Sequence, residues 1–425
     1  MMRPEEHLDW LYRRQRLGVT LGLERILALL AAAGDPQRTF RSVLVGGTNG
    51  KGSTAKVLAE CLTRSCERVG LYTSPHLSRI GERFVVDGTE LGREDVAEAV
   101  GSLRPIADEI EASFFEVVTA AACLLFARER VGWAVMEVGL GGRFDATNAL
   151  DPELSVVTGV ALDHTDLLGE TVALIAREKA GILRQGRPAL TGASGDALVA
   201  LRDAAAVSGA PLWVLGEEIV VRGEQLGWQG QRIAVTCPAG SVEAVSPLVG
   251  EHQQPNLALA AVAALRLGVR RDAVEQGLAR ARWPGRLERI RWRGRWVVFD
   301  GAHNAEAAAV LAKSLARLEE EPFTLVAGMG SDKDIAALVT ALAPLAGTVF
   351  ATGARQSPRA RPPRDVAEAF GGDALPVDDP VEALDRAVAA TRVGGTVVVA
   401  GSLYLVGELR PHVTGEGLET AERWQ

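Results

Sequence analysis

A glycine-rich loop between a strand and a helix constrains the fold of this chain more than any other feature. Residues 45–54 read Val-Gly-Gly-Thr-Asn-Gly-Lys-Gly-Ser-Thr and follow an apolar run at 42–45. The glycines let backbone N–H groups turn inward, and the start of the following helix adds a positive dipole, so the loop can bind phosphates. Gly52 departs from the usual phosphate-loop pattern because it separates Lys51 from Ser53. The order of strand, glycines, lysine, hydroxyls and helix predicts a site for a nucleoside triphosphate rather than a merely flexible turn.

Apolar strands alternate with amphipathic helices along the chain, which predicts α/β architecture with a mostly parallel sheet. The alternating residues and Gly turns of 220–236 predict an antiparallel hairpin appended to that sheet. The predicted strands are 42–45, 133–138, 155–160, 211–215, 296–299, 324–327, 348–351 and 396–400, and the predicted helices are 53–68, 171–180, 255–267, 305–318 and 334–342.

The length of 425 residues predicts two domains, because single hydrophobic cores stop growing near ~300 residues. Pro284 and Gly285 break the helical pattern just before a new strand begins, so we place the boundary there. We expect a P-loop NTPase-like N-terminal domain at 1–284, with a mostly parallel sheet. A smaller, Rossmann-like α/β domain is expected at 285–425. The proline- and arginine-rich stretch 355–364 is interpreted as a solvated loop over the second sheet.

Composition argues against nucleic-acid and membrane partners. The formal charge is −8, from 46 Lys and Arg against 54 Asp and Glu, whereas a nucleic-acid surface needs clustered basic residues. The longest apolar run, 117–127, is shorter than the ~20 residues that span a bilayer, so it predicts a buried helix. Four charged residues stand where a signal peptide needs an apolar stretch, so a cytoplasmic protein is expected. They are Arg3, Glu5, Glu6 and Asp9.

Two further patterns give little support for a zinc site, a disulfide framework or NAD binding. Cys61, Cys66, Cys123 and Cys237 show no C-x-x-C spacing and no nearby His pair, so we interpret them as packed thiols. The Gly-Leu-Gly-Gly segment at 139–142 lacks the spacing of a dinucleotide fingerprint and opens no helix, so it gives little support for NAD binding.

Two polar side chains follow strands that should lie beside the phosphate loop. Glu137 ends the strand 133–138, and His164 follows the strand 155–160. Parallel strands end at the same sheet edge, which is where open α/β sheets bind ligands. A carboxylate there can hold the magnesium that accompanies ATP. We therefore expect Glu137 and His164 to meet beside the phosphate loop.

The loop with its extra glycine resembles that of the bifunctional dihydrofolate synthase/folylpolyglutamate synthase family, the folate ligases of the Mur ligase superfamily. Further segments agree with family signatures in family order, and the match runs from Gly22 to about Gly407. These segments are 72–77, 115–116, 136–148, 162–166, 178–182, 300–304 and 401–404.

The resemblance implies a set of site residues. The implied ATP-binding residues are Thr48, Asn49, Gly50, Lys51, Gly52, Ser53, Asn256, Arg286 and Asp300. The implied ligands of two Mg²⁺ ions are Ser74, Glu137, His164 and Lys179, with Lys179 carbamylated. The implied folate contacts are Phe115, Asp145 and Ala146, and the implied glutamate contacts are His303 and Ser402. Lys51, Lys179 and His303 are the implied catalytic residues. Lys333 is interpreted as a solvated charge at a helix start.

The implied reaction uses ATP to convert a folate carboxylate into an acyl phosphate, which the amine of glutamate then attacks. The chain is expected to act as a monomer on dihydropteroate or reduced folates. The sequence leaves open which of these it uses and how many glutamates it adds.

Two other functions compete with this interpretation. A Mur-type ligase for a cell-wall precursor would need a uridine-nucleotide-binding domain, yet only one helical segment is predicted before the loop. A nucleotide-driven switch would leave the second domain and the segment 300–304 unexplained.

Overall fold

The N-terminal half folds around a sheet of eight strands. The computed structural model describes residues 3–17, 22–65 and 67–418. Its elements up to residue 280 are α1 (Pro4–Arg13), α2 (Glu24–Ala32), β1 (Arg41–Gly46), α3 (Lys51–Thr63), β2 (Val69–Tyr72), β3 (Phe84–Val86), β4 (Thr89–Glu90), α4 (Arg93–Glu109), α5 (Phe114–Arg128), β5 (Trp133–Glu137), β6 (Leu154–Val157), α6 (Thr165–Leu168), α7 (Val172–Ala180), β7 (Ala189–Thr191), α8 (Gly195–Ser208), β8 (Leu212–Val214), β9 (Val220–Gln225), β10 (Gln231–Cys237), β11 (Gly240–Ser246), α9 (Gln253–Arg266) and α10 (Arg271–Arg280).

The strand order of this sheet is β4-β3-β2-β5-β1-β6-β7-β8. The pairs β2–β5, β5–β1, β1–β6, β6–β7 and β7–β8 are parallel, whereas the β2–β3 and β3–β4 pairs at one edge are antiparallel. Helices cover both faces, which explains why β1 is a continuous apolar run. Val43 and Val45 pack against α3 and α9 on one face, whereas Leu44 belongs to the core on the other face. The strand that leads into the phosphate loop is therefore central and buried on both sides.

The C-terminal half forms a second, smaller sheet in the order β12-β13-β17-β14-β15-β16, in which only the β12–β13 pair is antiparallel. One face packs against α11, α12 and α13, and the other against α14 and α15. The elements are β12 (Glu288–Trp292), β13 (Arg295–Phe299), α11 (Ala305–Leu318), β14 (Phe323–Ala327), α12 (Ile335–Leu342), β15 (Ala346–Ala351), α13 (Pro363–Phe370), β16 (Leu375–Pro376), α14 (Pro380–Ala390), β17 (Thr396–Ala400) and α15 (Leu403–Thr414).

The predicted fold class is confirmed: a large, mostly parallel sheet precedes a second α/β sheet. The buried helix predicted at 117–127 lies within α5. In the described part of the chain, no helix is both long and apolar enough to cross a bilayer. Cys61, Cys123 and Cys237 are buried free thiols, as predicted, and Cys66 lies outside the described residues.

Two predictions about the fold are wrong. The hairpin at 220–236 is not appended to the main sheet, because β9, β10 and β11 form a separate antiparallel sheet. Its one apolar face, which includes Ile233 and Val235, packs on α9 and α10, so the hairpin is stabilised by helices and not by a strand edge. Among the residues described before the phosphate loop there are two α-helices, α1 and α2, where one helical segment was predicted.

The two halves meet where α15 packs on the segment between β2 and β3. A Cβ atom at Gly407 would overlap the carbonyl oxygen of Leu77, so only glycine allows this approach. Ser78 Oγ also donates a hydrogen bond to the Gly407 carbonyl at 2.7 Å. The contact fixes α15 against the segment that carries Ser74.

We predict that Gly407→Ala lowers the free energy of unfolding by about 1–3 kcal/mol, because the backbone at Leu77 must move to admit the methyl group. Urea unfolding monitored by circular dichroism measures the change. Gly417→Ala is the matched control, since no atom lies within 4 Å of the added Cβ. Equal stability of the two variants would contradict this account of the contact.

Candidate active site

The phosphate loop is held in shape by the segment that follows β6. Thr158 Oγ1 donates to the Asn49 carbonyl at 2.7 Å, and the Thr48 N–H donates to the Gly159 carbonyl at 2.7 Å. A Cβ at Gly47 would overlap the Thr158 hydroxyl. Gly50 has a φ of 87° and directly precedes α3, which begins at Lys51. The loop is therefore ready to present N–H groups to an anion.

Lys51 extends back over its own loop. Its Nζ donates to the carbonyls of Gly47 at 3.1 Å and Thr48 at 3.0 Å. The ammonium also lies close enough to Glu137 to oppose the rise in the pKa of that carboxyl group. A positive charge at this position can meet the terminal phosphates of a nucleotide.

Glu137 lies at the end of β5 and is buried beside the phosphate loop. Its Oε2 accepts a hydrogen bond from the Ser74 N–H at 3.0 Å. Burial raises the pKa of the Glu137 carboxyl group, while Lys51, the Ser74 N–H and Arg286 act in the opposite direction. A cation that replaces the lost hydration would stabilise the charged form.

The donors around Glu137 fit a magnesium ion held jointly with phosphates. Mg²⁺ is usually bound through one or two carboxylates, waters and phosphate oxygens. Glu137 supplies a carboxylate, and Ser53 and Ser74 supply hydroxyl groups in the lining of the same cavity. Within the described ranges, no three His, Cys, Asp or Glu side chains cluster as a metal site on their own. The nucleotide would have to supply the remaining ligands.

Lys179 is buried at the end of α7. Its Nζ donates to the Gly47 carbonyl at 2.9 Å, so the structure brings it to the phosphate loop. Burial, followed by the nearby charge of Lys51, lowers the pKa of Lys179 to about 7. A substantial share of the amine is therefore neutral near neutral pH.

His164 lies farther out, at the mouth of the site. Its side chain is 49% exposed, and its φ of 49° lies in the left-handed region just before α6. Burial of part of the ring lowers the pKa of His164, and the charge of Lys179 acts in the same direction. Asp163, which the sequence analysis did not select, raises the pKa of both groups. Asp163 is therefore a further carboxylate in the segment that follows β6.

The linker between α10 and β12, residues 281–287, and helix α9 lie beside the phosphate loop. Asn256 lies against Gly50, where any side chain on residue 50 would collide with it. Arg286 is close enough to Glu137 and His303 to change the pKa of each. Trp283 was missed by the sequence analysis: its ring would be 2.7 Å from a Cβ at Gly52. The only sequence signal for it is an aromatic residue next to the Pro-Gly-Arg turn.

The neighbouring strands β13 and β17 of the second sheet place Asp300, His303 and Ser402 at the cleft. The two carboxylate oxygens of Asp300 accept hydrogen bonds from the backbone N–H groups of Leu287 and Ala302, each at 2.9 Å. It therefore fixes the linker. His303 Nδ1 lies 2.8 Å from the Gly301 carbonyl, and burial lowers the pKa of its ring. Ser402 caps α15 by accepting hydrogen bonds from two backbone N–H groups.

Phe115, Asp145 and Ala146 line another part of the same cavity, called the inner pocket below. The Phe115 ring fills the space that a side chain at Gly139 would need. Asp145 is buried, and it accepts hydrogen bonds from the backbone N–H groups of Leu140 at 2.9 Å and Thr147 at 3.0 Å. Asp145 therefore also holds the loop that forms the pocket wall.

Arg83 is a further residue that no sequence pattern indicated. It is completely buried, its Nε donates to His76 Nδ1 at 2.8 Å, and its guanidinium lies 5.3 Å from the centre of the Phe114 ring. Neither terminal nitrogen of Arg83 has a hydrogen-bond partner among the described residues. A buried donor of this kind favours an acceptor on a bound ligand.

Comparison with known proteins shows which family this chain belongs to. The Mur ligase middle domain matches residues 45–265, and the Mur ligase glutamate ligase domain matches residues 285–403. The folylpolyglutamate synthase of Lacticaseibacillus casei is 36% identical, across 97% of this chain and 99% of that protein. The chain belongs to the folate ligases of the Mur ligase family. The resemblance of the phosphate loop and its companion segments is thereby confirmed.

Two further folate ligases show the extent of the match. The structure of Escherichia coli FolC in complex with DHPP and ADP is 33% identical, has a TM-score of 0.87 and covers 96% of this chain and 97% of that one. A probable bifunctional folylpolyglutamate synthase/dihydropteroate synthase of Haloferax volcanii is 37% identical over 96% of this chain. The chain spans about half the length of that haloarchaeal relative.

We predict that Gly52→Ala weakens nucleotide binding roughly 10- to 100-fold, because the new methyl group must displace the Trp283 ring from the phosphate loop. Isothermal titration with ADP measures the dissociation constant. Combining Gly52→Ala with Trp283→Leu removes the collision and should recover most of the affinity relative to Trp283→Leu alone. If the two losses are simply additive, the ring is not the cause.

Proposed function

We propose that this folate ligase joins L-glutamate to dihydropteroate, to folyl(poly)glutamates, or to both, with ATP converted to ADP and phosphate. The substrate carboxylate attacks the γ-phosphorus of ATP, and the resulting acyl phosphate is attacked by the amine of glutamate. Phosphate leaves as the amide bond forms. The names of the relatives and the ligands of the Escherichia coli structure support this assignment.

One observation carries the proposal: a single cavity of about 1880 Å³ joins the phosphate loop, the Phe115–Asp145 pocket and the C-terminal half. Pockets for one small molecule usually measure about 300–1000 Å³. The space therefore suits a nucleotide and a folate together, with a wall from the second half where glutamate can enter. A nucleotide-driven switch has no use for the inner pocket.

The proposed work of the protein is positioning and charge neutralisation. Lys51 and Arg286, whose charges both act on Glu137, are proposed to neutralise the charge of the transferred phosphoryl group. Thr48, Asn49, Gly50, Gly52 and Ser53 bind the phosphates, and Asn256 contacts the rest of the nucleotide. In this proposal Asp300 acts by fixing the linker that carries Arg286.

Two magnesium ions are proposed in this site, and when bound they would neutralise phosphate charge. Ser74 and Glu137 would hold the first ion. Glu137, His164 and a carbamylated Lys179 would hold the second. Mg²⁺ prefers oxygen ligands, and a carbamate supplies them where an ammonium would repel the metal.

The inner pocket is proposed to bind the pterin end of the substrate. Phe115 offers an aromatic surface, Ala146 lines the wall, and Asp145 offers a carboxylate to ring N–H groups. His303 and Ser402 are proposed to bind glutamate at the opposite wall. We propose a monomer, because both walls of the cavity come from one chain.

Product analysis tests the proposed activity. With ATP, Mg²⁺ and glutamate, mass spectrometry should show one or more glutamate additions to dihydropteroate or to tetrahydrofolate, each tested separately. Lys51→Ala should lose nearly all product because the phosphate charge is no longer balanced, while its circular dichroism spectrum stays unchanged. Lys313→Ala, an exposed lysine of the second half, is the control. ATP hydrolysis without any glutamylated product would refute a ligase.

A second prediction concerns the modification of Lys179. Carbamylation needs a neutral amine, and the lowered pKa of Lys179, about 7, supplies one. With ¹³C-labelled bicarbonate, NMR should show a carbamate signal that is absent from Lys179→Ala and retained by Lys313→Ala. The signal should fall as the pH drops below about 7, because the protonated amine does not react. A fully active enzyme with no such signal would rule the modification out.

A further inference from the structure

A carboxylate of the second half touches the phosphate loop. Glu306 lies in the first turn of α11, and its Oε2 accepts a hydrogen bond from Asn49 Nδ2 at 2.5 Å. The bond crosses the cleft between the two halves of the chain. Glu306 Oε1 accepts no hydrogen bond from the described residues, and the side chain is exposed to the cavity.

The other acidic side chains that the second half contributes to this cavity are already engaged. Asp300 accepts hydrogen bonds from two backbone N–H groups. Asp332 lies 3.6 Å from Lys333 Nζ and 3.7 Å from a terminal nitrogen of Arg359, and Glu416 pairs with arginines. Glu306 has no basic side chain of the described residues within 4.0 Å. Its negative charge is available to a ligand.

The proposed ligation brings a cation, the ammonium group of glutamate, to the edge of the phosphate loop. Under the proposed function, the amine of glutamate must reach the carbon that carries the transferred phosphoryl group, which lies at the edge of the phosphate loop. That amine is an ammonium before it reacts, and a nearby carboxylate holds an ammonium through a charge-assisted hydrogen bond. Glu306 touches Asn49 of that loop, whereas Lys333 and His303 line the cavity on the same half and can meet the substrate carboxylates.

We propose that Glu306 binds the α-ammonium of the incoming glutamate and positions it for attack; this inference rests on the proposed ligase function. The nitrogen forms a bond to the acyl carbon, and the carbon–oxygen bond to phosphate breaks with its electron pair leaving on phosphate. The ammonium loses two protons in the step. One ends on the released phosphate and the other passes to solvent.

Two structural roles compete with this assignment. An acidic residue in the first turn of a helix can simply stabilise the helix dipole, and a bond across the cleft can simply hold the halves together. Glu306→Gln separates these roles from ammonium binding. Its amide oxygen can still accept the bond from Asn49, but its negative charge is gone.

Steady-state kinetics with ATP, Mg²⁺ and the folate substrate accepted by the wild type provide the test. Glu306→Gln should raise the KM for glutamate roughly 10- to 100-fold while the KM for ATP and for the folate changes little. Glu320→Gln removes the same charge from an exposed position of the second half and should match the wild type. An unchanged KM for glutamate in Glu306→Gln would overturn the proposal.

A second measurement distinguishes ammonium binding from the two structural roles of Glu306. Hydroxylamine, an amine that is uncharged at neutral pH, can replace glutamate and trap the acyl phosphate as a hydroxamate. Glu306→Gln should form the hydroxamate at a rate close to that of wild type, because no ammonium has to be held. Loss of this reaction together with glutamate ligation would assign Glu306 a structural role and overturn the proposal. If the wild type itself gives neither product, the ligase function fails instead.

Discussion

The parallel pairing of β1 with β5 on one side and β6 on the other is the constraint on which the site depends. Val45 pairs with Glu137 and with Val156, so three strand ends meet at one edge of the sheet. The phosphate loop leaves β1 there, Glu137 ends β5, and the segment after β6 braces the loop through Thr158. Any change in this register would separate the carboxylate from the loop.

Burial then sets the chemistry of the groups gathered at this edge. Glu137 and Lys179 are both withdrawn from water, and burial disfavours the charged form of each. The pKa of the carboxyl group rises and that of the amine falls. A site that leaves its own charges incompletely hydrated favours ligands that bring charge with them, such as a metal ion and a triphosphate. The same reasoning applies to Arg83, whose buried terminal nitrogens have no hydrogen-bond partner among the described residues.

The second half contributes by closing the cavity. Two contacts join it to the phosphate-loop edge, those of Gly407 with Leu77 and of Glu306 with Asn49, and Trp283 of the linker lies over Gly52. Each links the loop or its neighbouring segment to an element far away in the chain. The distance between the phosphate site and the wall proposed for glutamate thus depends on packing between halves and on the linker.

The sequence by itself determined the α/β class, the phosphate loop and the family, because strand and helix periodicity, glycine spacing and ordered motifs are local properties. It also located Glu137 at a strand end beside the loop. Other features were decided only by tertiary structure. The separate β9–β11 sheet, buried Lys179, Trp283 against Gly52, and Glu306 opposite Asn49 arise from residues distant in the chain. Burial and cross-cleft distances depend on how whole elements pack, and no local pattern of residue types encodes that packing.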